Sequence, residues 1–178
     1  MVYPSSMQRI QIAEQKEKKA LLKSYRRAEM DYPSPALSED ALSRSIDEGR
    51  VLLLHDGSKI YSFLSYSPFP FDVLFPNDER SQNDFLETLG YRGEPLLLLE
   101  GIYTDPLYQR KGYASLLLAS FLQQKRSAIC FAKIPLDREA ILPFFLKAGY
   151  SPTVFSSEGQ PIYCWKKKKE GLCSDPSF

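Results

Sequence analysis

The stretch LLEGIYTDPLYQRKGYA, residues 98–114, decides the fold that this sequence predicts. It begins within Leu96–Thr104, whose apolar run is typical of a strand buried on both faces. It ends in Gly112–Gln124, where apolar side chains recur with helical spacing. A turn from a buried strand into a helix directs free backbone N–H groups and the helix dipole at one place. The stretch therefore predicts a binding site for an anion such as a pyrophosphate.

The residue types in this turn suit close contact with an anion. Gly112 lets a ligand approach the backbone, and Ala114 keeps the contact tight because its side chain is small. Arg110 and Lys111 add positive charge. The sequence contains no GxGxxG and no GxxxxGK[ST], so it predicts neither a dinucleotide-binding fold nor a P-loop.

The rest of the chain predicts an α/β fold in which a central mixed sheet carries helices on both faces. Asp56-Gly57-Ser58 predicts a hairpin turn, and Pro143 predicts a helix that either starts near it or is kinked there. We expect one domain over residues 1–170 and a frayed tail over 171–178. The predicted strands are 8–13, 51–55, 59–67, 96–104, 128–134, 153–156 and 161–165, and the predicted helices are 14–30, 38–48, 84–89, 112–124 and one that ends at 148–149.

Composition narrows the function classes. The 178 residues include 23 basic and 22 acidic ones, so no strong field attracts nucleic acid or an anionic membrane. No apolar run is long enough to span a membrane and no targeting segment is visible, which predicts a cytoplasmic protein. Cys130, Cys164 and Cys173 form no CxxC pair and His55 is the only histidine, so we expect neither a disulfide framework nor a metal site.

Two motifs resemble those of the GNAT superfamily of N-acetyltransferases. Gln109, Gly112 and Ala114 match its cofactor motif, in which Gln or Arg, two variable residues, Gly, one variable residue and Gly or Ala follow each other. The stretch LPFFLKAGY, residues 142–150, resembles the family's later motif of an apolar-aromatic pair followed by Gly and an aromatic residue. The resemblance is close over about residues 95–150 and covers the N-terminal half only as a pattern of elements.

This resemblance implies a GNAT-like fold and an acyltransferase that moves an acetyl group from acetyl-CoA to a primary amine. The strand residues Ile102, Tyr103 and Thr104 would pair through their backbone with the pantetheine arm of the cofactor. The turn would hold the pyrophosphate through backbone N–H groups, and its implied cofactor-binding residues are Gln109, Arg110, Lys111, Gly112, Tyr113 and Ala114.

Acetyl transfer requires a base for the amine and a proton for the departing thiolate. Glu100 is the candidate base, because a strand period of two places it on the face of Ile102 and Thr104. In several amine acetyltransferases of the superfamily a Glu in the matching place assists deprotonation. The alternative role for Glu100 is a structural hydrogen bond or salt bridge.

The usual general acid of the family is a tyrosine at the position where this sequence has Phe145. Tyr150 is the candidate replacement, and Tyr103, Tyr108, water or unassisted departure of the thiolate are the alternatives. Phe145 also leaves open a second function, a non-catalytic module that binds acyl-CoA as a sensor.

The resemblance implies that the acceptor, a small-molecule or peptide amine, enters opposite the cofactor. The segments Tyr25–Leu42 and Pro68–Tyr91 would line its path. In the second segment Phe69, Phe71 and Phe75 predict either an apolar wall or packing on the core. We expect no nucleic-acid or membrane partner, and a monomer or a homodimer.

Overall fold

One mixed sheet organises the chain. The structure is a computed structural model that describes residues 8–30, 37–71, 75, 78–134, 141–157 and 160–166. The strand order is β1-β2-β3-β4-β5-β7-β6, and all neighbours are antiparallel except the parallel pair β4 and β5. The strands are β1 Arg9–Ile12, β2 Val51–His55, β3 Ile60–Pro68, β4 Leu96–Thr104, β5 Ile129–Lys133, β6 Ser151–Ser157 and β7 Gln160–Lys166. The described helices are α1 Gln15–Met30, α2 Glu39–Asp47, α3 Glu79–Thr88, α4 Tyr113–Gln124 and α5 Leu142–Lys147.

Helices cover both faces of this sheet, which confirms the predicted fold class. On one face α1 and α2 bury Leu21 and Leu42 against Leu53 of β2. On the other face α4 buries Leu117 and Phe121 in a cluster with strand residues. Each fully buried side chain of this kind contributes roughly 1.5–3 kcal/mol to stability.

Local turn chemistry forms the β2–β3 hairpin as predicted. The Asp56 carboxylate accepts hydrogen bonds from the N–H groups of Ser58 (2.9 Å) and Lys59 (2.8 Å). The Tyr61 hydroxyl donates to the same carboxylate and is the main reason that the pKa of Asp56 lies well below its ordinary value. Gly57 adopts the left-handed φ of 93° that the turn requires.

The helix ends follow the capping residues. Ser38 caps α2, because its Oγ accepts a hydrogen bond from the Ala41 N–H at 3.2 Å. Asp78 caps α3 in the same way, which explains why that helix starts at Glu79 rather than at the predicted 84. α5 begins at Leu142 with Pro143 in its first turn, where a missing N–H costs little. The tail 171–178 lies outside the described residues.

The burial of β4 differs from the prediction. Only Leu99 is buried in this strand, and its other residues are half-buried rather than buried on both faces. Leu96, Leu97 and Leu98 are half-buried although they pair with β5, and so is the second half of the strand, with which β5 does not pair. A short 3-10 turn over Pro106–Tyr108, which the apolar pattern did not predict, follows this half.

Candidate active site

The opening in the sheet lies between β4 and β5. The two strands pair from Leu96 with Ile129 to Leu99 with Ala132, and no pair follows in the described register. β4 nevertheless continues to Thr104, hydrogen-bonded on its other side to β3. In the described register β5 stops short of Ile102, Tyr103 and Thr104, so an extended ligand can lie along this edge of β4.

A β-bulge at Glu100 sits where this gap begins. Ser65 of β3 pairs with Gly101 and its neighbour Tyr66 pairs with Leu99, so Glu100 has no partner on β3. A Cβ atom on Gly101 would lie 2.5 Å from the Tyr103 ring, so the strand needs glycine beside the bulge. Both the strand register and the steric need for glycine at residue 101 therefore favour the bulge.

The bulge corrects one prediction about Glu100. The expected face, shared with Ile102 and Thr104, was wrong, because an extra residue reverses the alternation of side chains. Glu100 instead turns toward α2, and Ile102 packs in the cluster on the α4 side. Glu100 is the only predicted site residue that the structure places on a different face.

Two serine hydroxyls bind the Glu100 carboxylate. Ser65 Oγ donates to Oε2 at 2.9 Å and Ser45 Oγ of α2 donates to the same oxygen at 3.3 Å. Both serines are buried. Sequence reasoning missed them, although a serine inside the apolar run of β3 was a readable signal.

The turn before α4 has the strand–turn–helix setting from which the sequence predicts an anion site. Arg110 has a φ of 59° and Gly112 a φ of 80°, so the backbone twice enters the left-handed region. Gly112 caps the helix without a side-chain hydrogen bond, and the first helical bond runs from the Leu116 N–H to the Gly112 carbonyl. The N–H groups of residues 113–115 therefore have no acceptor within the helix. A Cβ atom on Gly112 would meet no protein atom within 4 Å, which leaves open space above the turn.

An aromatic cluster of Tyr61, Tyr108 and Tyr113 supports this turn from below. The Tyr61 ring lies edge-on to Tyr108 at 4.7 Å and beside Tyr113 at 5.1 Å between ring centroids. Lys111 places its ammonium 5.2 Å from the centroid of Tyr108, whereas Arg110 is exposed. The side chain of Tyr113 therefore belongs to the support of the turn, and its N–H faces the anion site.

An ion pair between Arg27 and Asp105 ties α1 to the end of β4. The Arg27 guanidinium lies 3.0 Å from Oδ2 of the buried Asp105 carboxylate. The other oxygen, Oδ1, accepts from the Leu107 N–H at 3.1 Å and so caps the 3-10 turn. Sequence reasoning did not single out this pair, because the two residues lie far apart along the chain.

Tyr150 is buried in the cluster on the α4 side. Its ring lies edge-on to Phe145 at 5.3 Å, and its hydroxyl is a buried polar atom without a hydrogen-bond partner in the described part of the chain. Burial raises the pKa of Tyr150 well above its ordinary value, and Cys130 and Cys164 raise it further. The phenol therefore holds its proton at neutral pH. Glu100 and Tyr150 lie on opposite faces of the sheet.

Phe69, Phe71 and Phe75 all pack on the core, where Phe69 lies 4.2 Å from Phe131 between ring centroids. Phe71 and Phe75 are only partly buried, so their contact with an acceptor stays a prediction. Cys130 is fully buried in β5, which raises its pKa to about 12, so it is a core residue rather than a thiolate.

The described residues contain neither a metal-binding cluster nor a membrane-spanning helix. Within the described ranges no group of three or more His, Cys, Asp or Glu side chains is placed to hold a metal ion. None of the helices in the same ranges is both long and apolar enough to cross a membrane.

Comparison with known proteins identifies the family. The sequence model of the acetyltransferase (GNAT) family matches residues 16–150, which include both motifs and the gap between β4 and β5. The chain belongs to this family. No curated protein matches the sequence.

Solved structures of GNAT acetyltransferases share the fold. A GNAT family acetyltransferase from Bacillus cereus is 22% identical, with a TM-score of 0.60 over 92% of this chain and 99% of that one. The putative acetyltransferase yncA from Salmonella typhimurium, solved with acetyl-CoA, is 13% identical, with a TM-score of 0.63 over 93% and 96%. The ribosomal-protein-S18-alanine N-acetyltransferase from Escherichia coli is 19% identical, with a TM-score of 0.60 over 93% and 99%. At such identities the likeness concerns the fold.

Proposed function

We propose that this GNAT protein transfers an acetyl group from acetyl-CoA to a primary amine by direct attack. The observation that carries the proposal is the gap between β4 and β5, which opens beside the α4 N-terminus. The acceptor that we propose is a small-molecule or peptide amine. Among the structural neighbours, the Escherichia coli enzyme is named for an alanine of ribosomal protein S18. We further propose that residues 1–170 form one domain.

The residues present fit acetyl-CoA on two grounds. The edge of β4 at Ile102–Thr104, with which β5 does not pair, suits the amide groups of a pantetheine arm, because these groups can pair as a strand does. The unpaired N–H groups of residues 113–115 and the open space at Gly112 suit a pyrophosphate. Two neighbouring folds, from Salmonella typhimurium and Brucella melitensis, were solved with acetyl-CoA.

When bound, acetyl-CoA supplies an activated acetyl group on a sulfur that can leave. Glu100 takes the proton of the attacking amine nitrogen, directly or through water, as the C–N bond forms and the C–S bond breaks. Tyr150, whose hydroxyl forms no hydrogen bond with the described residues, gives its phenolic proton to the departing sulfur. The two residues approach from opposite faces of the sheet, so acid and base need not compete for one side of the gap.

A specific observation favours a second candidate, an acyl-CoA-binding module without catalysis. Phe145 occupies the position of the usual tyrosine acid and is buried, and the Tyr150 hydroxyl is also shielded from solvent. Turnover separates the two candidates, because a sensor binds acetyl-CoA but acetylates no amine. A screen of small amines and short peptides should give product formation above thioester hydrolysis if the chain is an enzyme.

Thermal unfolding with and without acetyl-CoA tests the cofactor site. A ligand that binds only the folded state stabilises it by about 2.7 kcal/mol at ~100 times its Kd, so the melting temperature should rise. Gly112→Leu should abolish this rise. Gly93→Leu is the matched control, because Gly93 also has a left-handed φ (92°) and open space around it but lies in another loop. Absence of a shift at millimolar acetyl-CoA in the unchanged protein would refute the proposed function.

A further inference from the structure

The two serines that bind Glu100 are unusual in being buried, polar and aimed at one atom. Ser65 is 0% exposed and Ser45 is 3% exposed, and both donate to Oε2. A buried hydroxyl costs free energy unless it is hydrogen-bonded. The hydrogen bonds to the shared Glu100 carboxylate therefore offset the free-energy cost of burying both hydroxyls.

Two donors on the same oxygen determine which oxygen of the Glu100 carboxylate can accept a proton. An oxygen that accepts two O–H groups is the unprotonated one, so a proton can reach Glu100 only at Oε1. Both bonds strengthen when the carboxylate is charged, because hydrogen bonds to an ionised acceptor are the stronger kind. Among the described residues no cation forms an ion pair with Glu100. Its side-chain hydrogen bonds come from the two serines.

The ionisable groups on the neighbouring elements are engaged elsewhere. On α2, Asp47 pairs with Lys18 at 2.6 Å, Glu48 pairs with Arg50, and Arg44 is exposed. Tyr25 of α1 and Tyr103 of β4 are in edge-to-face contact with each other, with ring centroids 5.4 Å apart. These groups leave Ser45 and Ser65 as the polar contacts that distinguish one carboxylate oxygen from the other.

We propose that Ser45 and Ser65 are positioning residues that hold the Glu100 carboxylate by Oε2 and present Oε1 as the oxygen that accepts the proton of the amine. This assignment rests on the proposed function. In the step, an N–H bond of the acceptor breaks and an O–H bond forms at Oε1, while the serines keep their own protons. Ser65 has the larger part because its bond is shorter, and Ser45 makes the orientation of Glu100 depend on α2.

The test reads the chemical shift of the Glu100 carboxyl carbon by NMR at pH 7, in protein labelled with carbon-13 at the glutamate side-chain carboxyl. Its resonance is assigned by its absence in Glu100→Gln. In Ser65→Ala the resonance should move, because Oε2 loses its shorter hydrogen bond. Ser45→Ala should move it less, and Ser65→Thr should restore its position. Ser62→Ala is the matched control, because Ser62 is equally buried on β3 but donates to the Tyr103 carbonyl at 2.7 Å.

Kinetics then separates this assignment from the proposed function. With an accepted amine, Ser65→Ala should lower kcat about tenfold near neutral pH with KM little changed, and Ser65→Thr should restore kcat. A Glu100 resonance that stays in place in both serine variants would overturn the serine assignment, even if Glu100→Gln still lowers kcat. A kcat unchanged in Glu100→Gln would overturn the proposed base and the serine assignment with it.

Discussion

At Glu100, one unpaired residue changes the direction of a carboxylate. Without the bulge the side chain would lie on the α4 side with Ile102, whereas the bulge sends it to Ser45 and Ser65 on the other face. The two serine donors occupy Oε2 in this position and leave Oε1 as the oxygen that can accept a proton. At the residue scale the chemistry therefore depends on backbone register.

Glu100→Gln is expected to lower kcat by about 100-fold or more, the range for loss of a general base. Stability should change little, because the amide oxygen can still accept from both serines. Steady-state kinetics and urea unfolding measure the two effects. Glu87→Gln on the exposed surface of α3 is the control and should leave both unchanged. A loss of stability that parallels the loss of rate would assign Glu100 a structural role instead.

Tyr150→Phe is expected to separate stability from activity. The hydroxyl is buried without a partner in the described residues, so its removal should stabilise the protein by about 1 kcal/mol while kcat falls. Tyr25→Phe is the contrasting variant, because its hydroxyl donates to the Leu37 carbonyl, and it should destabilise by about 1 kcal/mol. Urea unfolding at pH 7 measures both, and a Tyr150→Phe protein that is less stable than the unchanged one would contradict the assignment.

The same tyrosine predicts a pH dependence. Its pKa is raised in the folded state, so the unfolded chain loses the phenolic proton first as pH rises. The pKa of the phenol in the unfolded chain is about 10. The stability that depends on the protonated phenol is complete below this pH and is lost as the pH rises above it. Unfolding free energies from pH 8 to 11.5 should therefore fall less steeply in Tyr150→Phe than in the unchanged protein. Equal slopes would show that the phenol ionises as easily when folded.

At the scale of elements, the turn before α4 is held by contacts from other parts of the chain. Tyr61 of β3 supports Tyr108 and Tyr113, and Arg27 of α1 binds the Asp105 that caps the 3-10 turn. A turn with two left-handed residues keeps its shape only when its surroundings hold it. The anion site therefore depends on both faces of the fold.

Tyr61→Leu is expected to weaken acetyl-CoA binding about tenfold by loosening this support. Removal of the ring deprives Tyr108 and Tyr113 of contacts worth roughly 0.5–1.5 kcal/mol each. Calorimetric titration with acetyl-CoA measures the Kd. Tyr91→Leu is the control, since Tyr91 is an exposed tyrosine in another loop and should leave the Kd unchanged. Equal Kd values for Tyr61→Leu and the unchanged protein would show that the turn keeps its shape without the cluster.

At the scale of the whole molecule, the single parallel pair in an otherwise antiparallel sheet creates the site. β4 and β5 are joined through α4, which covers one face, and they part after Leu99 and Ala132. β5 instead pairs antiparallel with β7 as far as Lys133, so each diverging strand keeps a partner on its outer side. The gap can therefore exist without unravelling the sheet.

Hydrogen exchange should map this gap directly. Acetyl-CoA is expected to slow amide exchange in residues 102–104 and 110–115, because the proposed cofactor lies along this edge of β4 and over the turn before α4. Exchange in β1 should not change, since its ladder with β2 is complete without a ligand. Mass spectrometry of peptic fragments measures both regions. Protection confined to other regions would place the cofactor elsewhere.

The sequence by itself determined the local elements and the cofactor turn. Helix and strand periods, the Asp56-Gly57 turn, the Ser38 cap and the motif from Gln109 to Ala114 act over a few residues, so their conformations can be read from neighbours in the chain. Only the tertiary structure decided the bulge at Glu100, its two serines, the packing of Phe69 on Phe131 and the pairing of Arg27 with Asp105. The physical reason is that strand register and side-chain partners join residues that are distant along the chain. A one-residue shift in register sends a side chain to the opposite face, and no local pattern records it.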